Sequence, residues 1–479
     1  MDDPQQPFGK RLGSEALSRT PLYLIFGLLF YAPFCFGLRE GAGETGFVTL
    51  AFFAFFVFCW DRFLKDQWPR VPVWLIFCFA IIALQGLWMQ LNANSHYVWH
   101  GVVKTVRIMD PAPFPNLPGS RHRIETPIQF YPQLAVFCLM IILVNLTQAK
   151  RRQVLVAGAV AAVTFATIGL MMKLDLWFGQ GTMIRWYWDL DEPRFYHTVF
   201  AGYRYHGNAA TFLAIGLCLN LGLVLETMQT RNLRTRTLAS IGTGIMLFGL
   251  IVNTSRAGWV LGAIVVVLFG ARMIWSLWQQ RDHGSLFSRG IVVAMVIALV
   301  VGVIVYSSFH SDDGFRQERL AMISESLSNR FPTVLFWEMW KETPFFGFGP
   351  GAFAAVFPKF QLLHPGHLSM KWYLNEAHQD YVQFLFDWGI PAFFCWMLIF
   401  LRPLFSRTSR NAFDPHVLTC RIVAFVVLLH AMGDFPLQVT SLLFYFGLAL
   451  AYLTARQAPE VACGGTEASQ SSATAATAQ

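Results

Sequence analysis

The sequence predicts an all-α integral membrane protein, a polytopic bundle of about twelve transmembrane helices with one long external loop. Three observations carry that reading. Of 479 residues, 55% are hydrophobic and only 13% are charged, about half the charge a soluble surface normally carries. Mean hydropathy is +0.46. The apolar residues come in runs close to the ~20 residues that a helix needs to cross the hydrocarbon core. This pattern excludes a soluble enzyme, a disordered scaffold and a small disulfide framework. An outer-membrane barrel is excluded too, because its strands would alternate polar and apolar residues.

The runs fall at 21–38, 46–64, 71–90, 128–147, 154–172, 208–225, 238–252, 257–277, 290–307, 381–401, 417–432 and 437–453. The first twenty residues are polar and lack a small-residue cleavage site, so the first span is expected to stay as an anchor. Domain limits follow: an N-terminal segment at 1–20, the bundle at 21–454, the loop region 308–380 within it, and an Ala/Ser/Thr/Gln-rich tail at 455–479, expected to be disordered. Cysteines number eight. None pair at metal-ligand spacing, and most sit in apolar runs as small hydrophobes.

Orientation is read from the Lys/Arg bias of short loops. With the N-terminus in the cytoplasm, the short basic connections around Arg62/Lys65/Arg70, Lys150/Arg151/Arg152, Arg231/Arg234/Arg236, Arg281/Arg289 and Arg402/Arg407/Arg410 lie inside. Longer aromatic loops at 91–127, 173–207 and 308–380 then lie outside, and both termini are cytoplasmic. About 20 basic residues fall inside against about 16 outside, while acids run about 10 against about 18. Much of the formal +8 charge is therefore topogenic, and nucleic-acid binding is not expected.

Within the longest loop, 331–346 reads as a helix lying in the membrane interface. It ends at Gly347-Phe348-Gly349-Pro350-Gly351. That run lacks the Gly-Lys-Ser/Thr ending of a nucleotide loop, so ATP is not indicated.

Ionisable groups at helix mouths cost free energy unless they have partners or work to do. Arg256 lies in the turn between the seventh and eighth spans, and Arg204 lies before the sixth, followed closely by His206 and Asn208. Arg330 precedes the interfacial helix, and His378 opens the tenth span. A single arginine of this kind commonly snorkels to headgroups, and a single His is commonly structural. Gathered on one face, they suit another task. Guanidinium forks match phosphate oxygens, and imidazole takes a proton near neutral pH. A diphosphate leaving group held by arginines beside a His base needs no metal. His96/His100 and His364/His367 have metal-compatible spacing but no convincing carboxylate set, and Asp189/Asp191/Glu192 reads better as a solvated loop than as a metal site. Asp387 and Asp434 border external depth as a proton path or a structural pair.

The order of motifs resembles the O-antigen ligase/polymerase superfamily of bacterial inner-membrane glycan-transferring enzymes. Ligases of that family carry His followed by Asn, Ser or Gln, nine residues, then Gly-x-x-Gly or similar. Here His378-Gln379 is followed by nine residues and Gly389-Ile390-Pro391-Ala392. The family's Arg-x-x-x-Leu element resembles Arg256-Ala257-Gly258-Trp259-Val260. The segments Pro344–Gly351 and Asp434-Phe435-Pro436 also fit, so the likeness runs from about residue 203 to 436.

The resemblance implies a GT-C-like glycosyltransferase architecture in the bacterial inner membrane, surrounded by membrane lipid. It implies a polyprenyl-diphosphate-linked (undecaprenyl diphosphate) glycan donor and a lipid A-core or glycan acceptor. His378 and Arg256 would be catalytic in an inverting transfer, while Arg204, Arg330, His206 and Asn208 would bind diphosphate or glycan. No cofactor and no obligatory metal are expected. An O-antigen ligase joining polysaccharide to lipid A-core, for lipopolysaccharide biosynthesis, is the leading expectation. Polysaccharide polymerase and protein O-oligosaccharyltransferase share the motifs. A secondary transporter is the rival from another class, because twelve spans with internal termini are common there.

Overall fold

In hydrocarbon every backbone N–H and C=O must find a partner within the chain, which leaves the helix as the answer for apolar runs of this length. The computed structural model describes residues 8–35, 37, 41–94, 112–179, 181–188, 196, 198–230, 232–253, 255–279, 333–363, 376–405 and 414–455. Among these there is no β-strand, only one bridge between Phe200 and Tyr203. The helices are α1 Phe8–Phe34, α2 Gly41–Leu64, α3 Val73–Leu91, α4 Glu125–Val144, α5 Gln148–Phe178, α6 Thr182–Trp188, α7 His206–Thr230, α8 Leu233–Val252 and α9 Arg256–Gln279. They continue as α10 Thr333–Glu342, α11 Phe353–Leu363, α12 Asp380–Leu401, α13 Pro415–His430 and α14 Thr440–Ala455, the last preceded by a 3₁₀ turn at Pro436–Gln438.

Eight described helices (α2 to α5, α7 to α9, and α12) are long and apolar enough to cross a membrane. They overlie the second to eighth and the tenth apolar runs. The first run lies in α1, and the last two match the shorter apolar helices α13 and α14. The ninth run, 290–307, lies outside the described residues, as do about half of the 308–380 loop and the tail from 456.

The centre of the bundle is α7, buried along its apolar length. Small residues such as Ala209, Ala210 and Ala214 let α5, α8, α9 and α13 close around it. Aromatic rings fill the spaces between: Phe212 meets Phe165 and Tyr445 edge-on, at centroid separations of 4.7 and 4.9 Å. Around this core, α4 packs between α2 and α14, and α3 lies on α12.

The loop region builds a second small core. Leu335 and Met339 of α10, with Phe353 and Phe357 of α11, close over Phe386 of α12. The opposite face of α10 leaves Trp337 exposed beside Lys341. The helix α10 is therefore amphipathic and docks on the bundle by its apolar face.

Candidate functional site

The helix α12 is not continuous. Gly389 has φ 66° and ψ −178°, a backbone region open essentially only to glycine. The break frees carbonyls that a straight helix would use internally, and the glycine-rich segment satisfies them. Phe348 N–H donates to the Phe386 carbonyl at 2.7 Å, and Gly349 N–H donates to the Asp387 carbonyl at 2.9 Å. On the other side, Ile390 N–H donates to the Pro344 carbonyl at 3.2 Å. A Cβ on Gly389 would sit 2.3 Å from the Phe345 carbonyl oxygen, and one on Gly347 would sit 2.5 Å from that of Phe386. The glycines thus allow main chain to pack directly on main chain. This is how the two segments bracketing His378 in sequence are tied together.

His378 itself occupies a left-handed conformation, φ 50°, just before α12. The turn is held from both sides. Gln383 accepts the Ala377 N–H at 2.9 Å through Oε1 and donates to Glu376 through Nε2. Asp380 anchors the connection between α13 and α14: its carboxylate accepts the Leu437 N–H at 2.8 Å and the Gln438 amide at 3.2 Å. Its own N–H reaches the Ala431 carbonyl at 3.0 Å. That anchorage brings Asp434 over His378.

Asp434 is the hub of the corner. Its Oδ1 accepts the Phe435 N–H at 3.0 Å and faces His378 Nδ1 at 3.6 Å. The other oxygen accepts the Tyr205 hydroxyl at 3.0 Å and faces His430 Nε2 at 3.5 Å. His430 Nδ1 meets Thr211 Oγ1 on α7. Burial alone would raise the Asp434 carboxyl. The His378 contact, the facing His430 and His378 imidazoles and the Tyr205 hydroxyl outweigh it and hold the group below the usual carboxylate range. Asp434 is therefore ionised at neutral pH. Phe435 frames the pair, stacking on Tyr205 at 5.3 Å and meeting the His378 ring edge-on at 5.1 Å. Asp434 approaches the first turn of α7 closely: a Cβ at Gly207 would lie 2.5 Å from Oδ2 and from the Tyr205 ring, so one of the two would have to shift.

The same corner includes the start of α9. Asn253, closing α8, donates to the His206 carbonyl at 2.8 Å, and Ser255 Oγ caps α9 by accepting the Gly258 N–H at 3.2 Å. Arg256 is therefore the first residue of a helix whose N-terminus already favours anions. It is exposed and has no acidic partner among the described residues. Arg204 is also exposed, one residue before Tyr205, while Asn208 is buried with its Oδ1 unsatisfied.

The structure gathers His378, Arg204, His206, Asn208 and Arg256 at one end of the bundle, with no direct contact between Arg256 and His378. Arg330 lies outside the described residues, as do Asp189/Asp191/Glu192, His96/His100 and His364/His367. Sequence reasoning did not assign Tyr205 or His430 to the site, and left Asp434 between two readings. The signal for the last pair was present, since His430 and Asp434 stand four residues apart at a helix end.

Fold and site define a polytopic helical membrane protein with an acid–imidazole pair and exposed arginines at one face. The family model described as O-Antigen ligase matches residues 241–397, so this stretch is similar to the O-antigen ligase family, a likeness that supports a glycan-transferring membrane enzyme. The matched stretch, about a third of the chain, holds Arg256, the glycine segment, His378 and Gly389, and stops before Asp434. No curated protein matches the chain.

Proposed function

We propose that the protein transfers a glycan from a polyprenyl-diphosphate carrier to an acceptor hydroxyl at the periplasmic face of the inner membrane, as a ligase joining polysaccharide to lipid A-core. The observation that carries this reading is the buried, ionised Asp434 facing His378 Nδ1 at 3.6 Å. A carboxylate there favours the tautomer with the proton on Nδ1 and leaves Nε2 as the base. Nε2 takes the acceptor hydroxyl proton as its oxygen bonds to the anomeric carbon. The bond from that carbon to the diphosphate breaks, and its electron pair leaves on the diphosphate with inversion at carbon. Arg256, at the N-terminus of α9, stabilises the departing charge, with Arg204 beside the same corner and Arg330 as a further binding residue. His206 and Asn208 contribute polar contacts to diphosphate or glycan. Neither a metal nor a cofactor enters this scheme.

The break in α12 is a structural feature that a transporter could also show, because discontinuous helices line many substrate sites there. The freed carbonyls of Phe386 and Asp387 are already taken by Phe348 and Gly349. The break is thus filled by the chain's own main chain, which favours the enzyme reading. Purified protein in lipid, given a lipid-diphosphate-linked glycan and lipid A-core, tests it. The expected product is the glycan–lipid A-core conjugate. Glycan lengthened on its carrier would instead make the protein a polymerase, and no product with either acceptor would refute transfer.

A further inference from the structure

At the end of the bundle opposite His378, α1 and α5 part to leave a cavity of about 710 Å³. Its walls are apolar, made by Leu22, Tyr23 and Phe26 of α1 and Val156 and Ala157 of α5. Its rim is basic, made by Arg19, Lys150 and Arg152. From Arg19 to Phe26 the groove descends about 10 Å along α1 at 1.5 Å per residue. Its surroundings are those of a lipid-facing surface, with Tyr23, Phe30 and Val160 exposed on the same two helices.

The rim charges differ in their commitments. Arg19 pairs with Glu15, and Arg152 pairs with Glu226, which His416 also faces at 3.4 Å. Arg19 and Glu15 are both exposed, so that pair is weak and exchangeable, whereas Arg152 is about half exposed and holds the buried Glu226. Lys150 has no acidic partner among the described residues, although it is only half-exposed. It also lines an adjoining cavity of about 270 Å³, so the residue borders two open spaces. Next to it the first N–H groups of α5, capped at Thr147, add positive potential to the rim.

We infer that this groove binds an anionic phospholipid of the leaflet opposite His378, its phosphate on Lys150 with Arg19 and Arg152, and its acyl chains along Leu22, Phe26 and Val156. Charge at the rim and apolar walls below it match the two halves of such a lipid, and match neither a soluble phosphate nor a zwitterionic lipid as well. Basic pockets between transmembrane helices are a common way to hold an acidic headgroup. The inference is independent of the transfer chemistry.

Native mass spectrometry of detergent-purified protein titrated with phosphatidylglycerol, phosphatidylcholine or inorganic phosphate tests it. Phosphatidylglycerol should be retained over phosphatidylcholine, and Lys150→Gln should weaken that retention about fivefold, the effect of one basic residue near an acidic headgroup. Ala157→Phe, which fills the groove and keeps every rim charge, should weaken it too. Lys341→Gln, in the helix α10, should leave it unchanged. Should Lys150→Gln insert poorly, Arg19→Gln carries the same test. Equal retention of the two lipids, or unchanged binding in both groove variants, overturns the inference. Displacement of the lipid by inorganic phosphate would also overturn it, by showing a phosphate site without a lipid groove.

Discussion

Replacing Asp434 by Asn separates the charge of this residue from its shape. The carboxylate meets two N–H or O–H donors at 3.0 Å, Phe435 N–H on Oδ1 and the Tyr205 hydroxyl on Oδ2. An amide can keep its oxygen on only one of them. A hydroxyl can turn and accept, whereas a backbone N–H cannot, so the new NH₂ will take the Oδ2 position. The carbonyl then stays towards Phe435 and His378, and His378 keeps an acceptor but loses the negative charge. Hydrogen bonds to charged groups contribute about 1.5–3 kcal/mol and neutral ones about 0.5–1.5 kcal/mol, a difference of roughly 1–1.5 kcal/mol. If that difference is felt mainly as imidazolium forms, transfer should slow about tenfold. Asp434→Ala removes the acceptor and should approach the loss of His378→Ala, about 10²–10⁴-fold. The resting separation of 3.6 Å is longer than a hydrogen bond, and such contacts shorten when substrate closes the site. The assay is the initial rate of glycan transfer by protein in lipid vesicles. Because Asp434 acts through His378, the double variant Asp434→Ala/His378→Ala should be no slower than His378→Ala alone. A wild-type rate for Asp434→Asn, or independent multiplication of the two Ala effects, would show that Asp434 does not act through His378.

Three further outcomes are expected. Arg256→Ala and Arg256→Lys should both lose most transfer while the protein still inserts, because Lys keeps the charge without the planar fork; near-normal turnover by Arg256→Lys would remove bidentate phosphate recognition. Gly389→Ala should lower thermal stability in detergent by about 1–3 kcal/mol or more, since it adds a Cβ at positive φ against the Phe345 carbonyl; an unchanged melting temperature would show that the break in α12 is not needed. Reporter fusions should place residue 350 on the periplasmic side and residue 150 on the cytoplasmic side, and the reverse result would sink the proposed orientation.

Hydropathy made most of the spanning helices legible, because lipid tolerates few alternatives to an apolar helix of that length. The helix mouths were legible too, since Arg204, Arg256 and His378 interrupt or bound apolar runs. What the sequence concealed depends on long-range pairing. The segment from Gly347 to Gly351 reads locally as a stop, and nothing local shows that its N–H groups fill the break at Gly389. Asp434 follows the same logic. Its partners come from Tyr205, far upstream, and from His378, which Asp380 brings within reach through Leu437 and Gln438. The i,i+4 pair of His430 and Asp434 was visible, but spacing alone does not tell a structural pair from a hub.

His378 is proposed as the base of a transfer reaction whose donor is held elsewhere, by the arginines. Purified His378→Ala in lipid, supplied with lipid-diphosphate-linked glycan and acceptor, measures both halves at once. Transfer should fall about 10²–10⁴-fold, and the unprocessed donor should remain bound with wild-type affinity. Full transfer by His378→Ala would contradict the account.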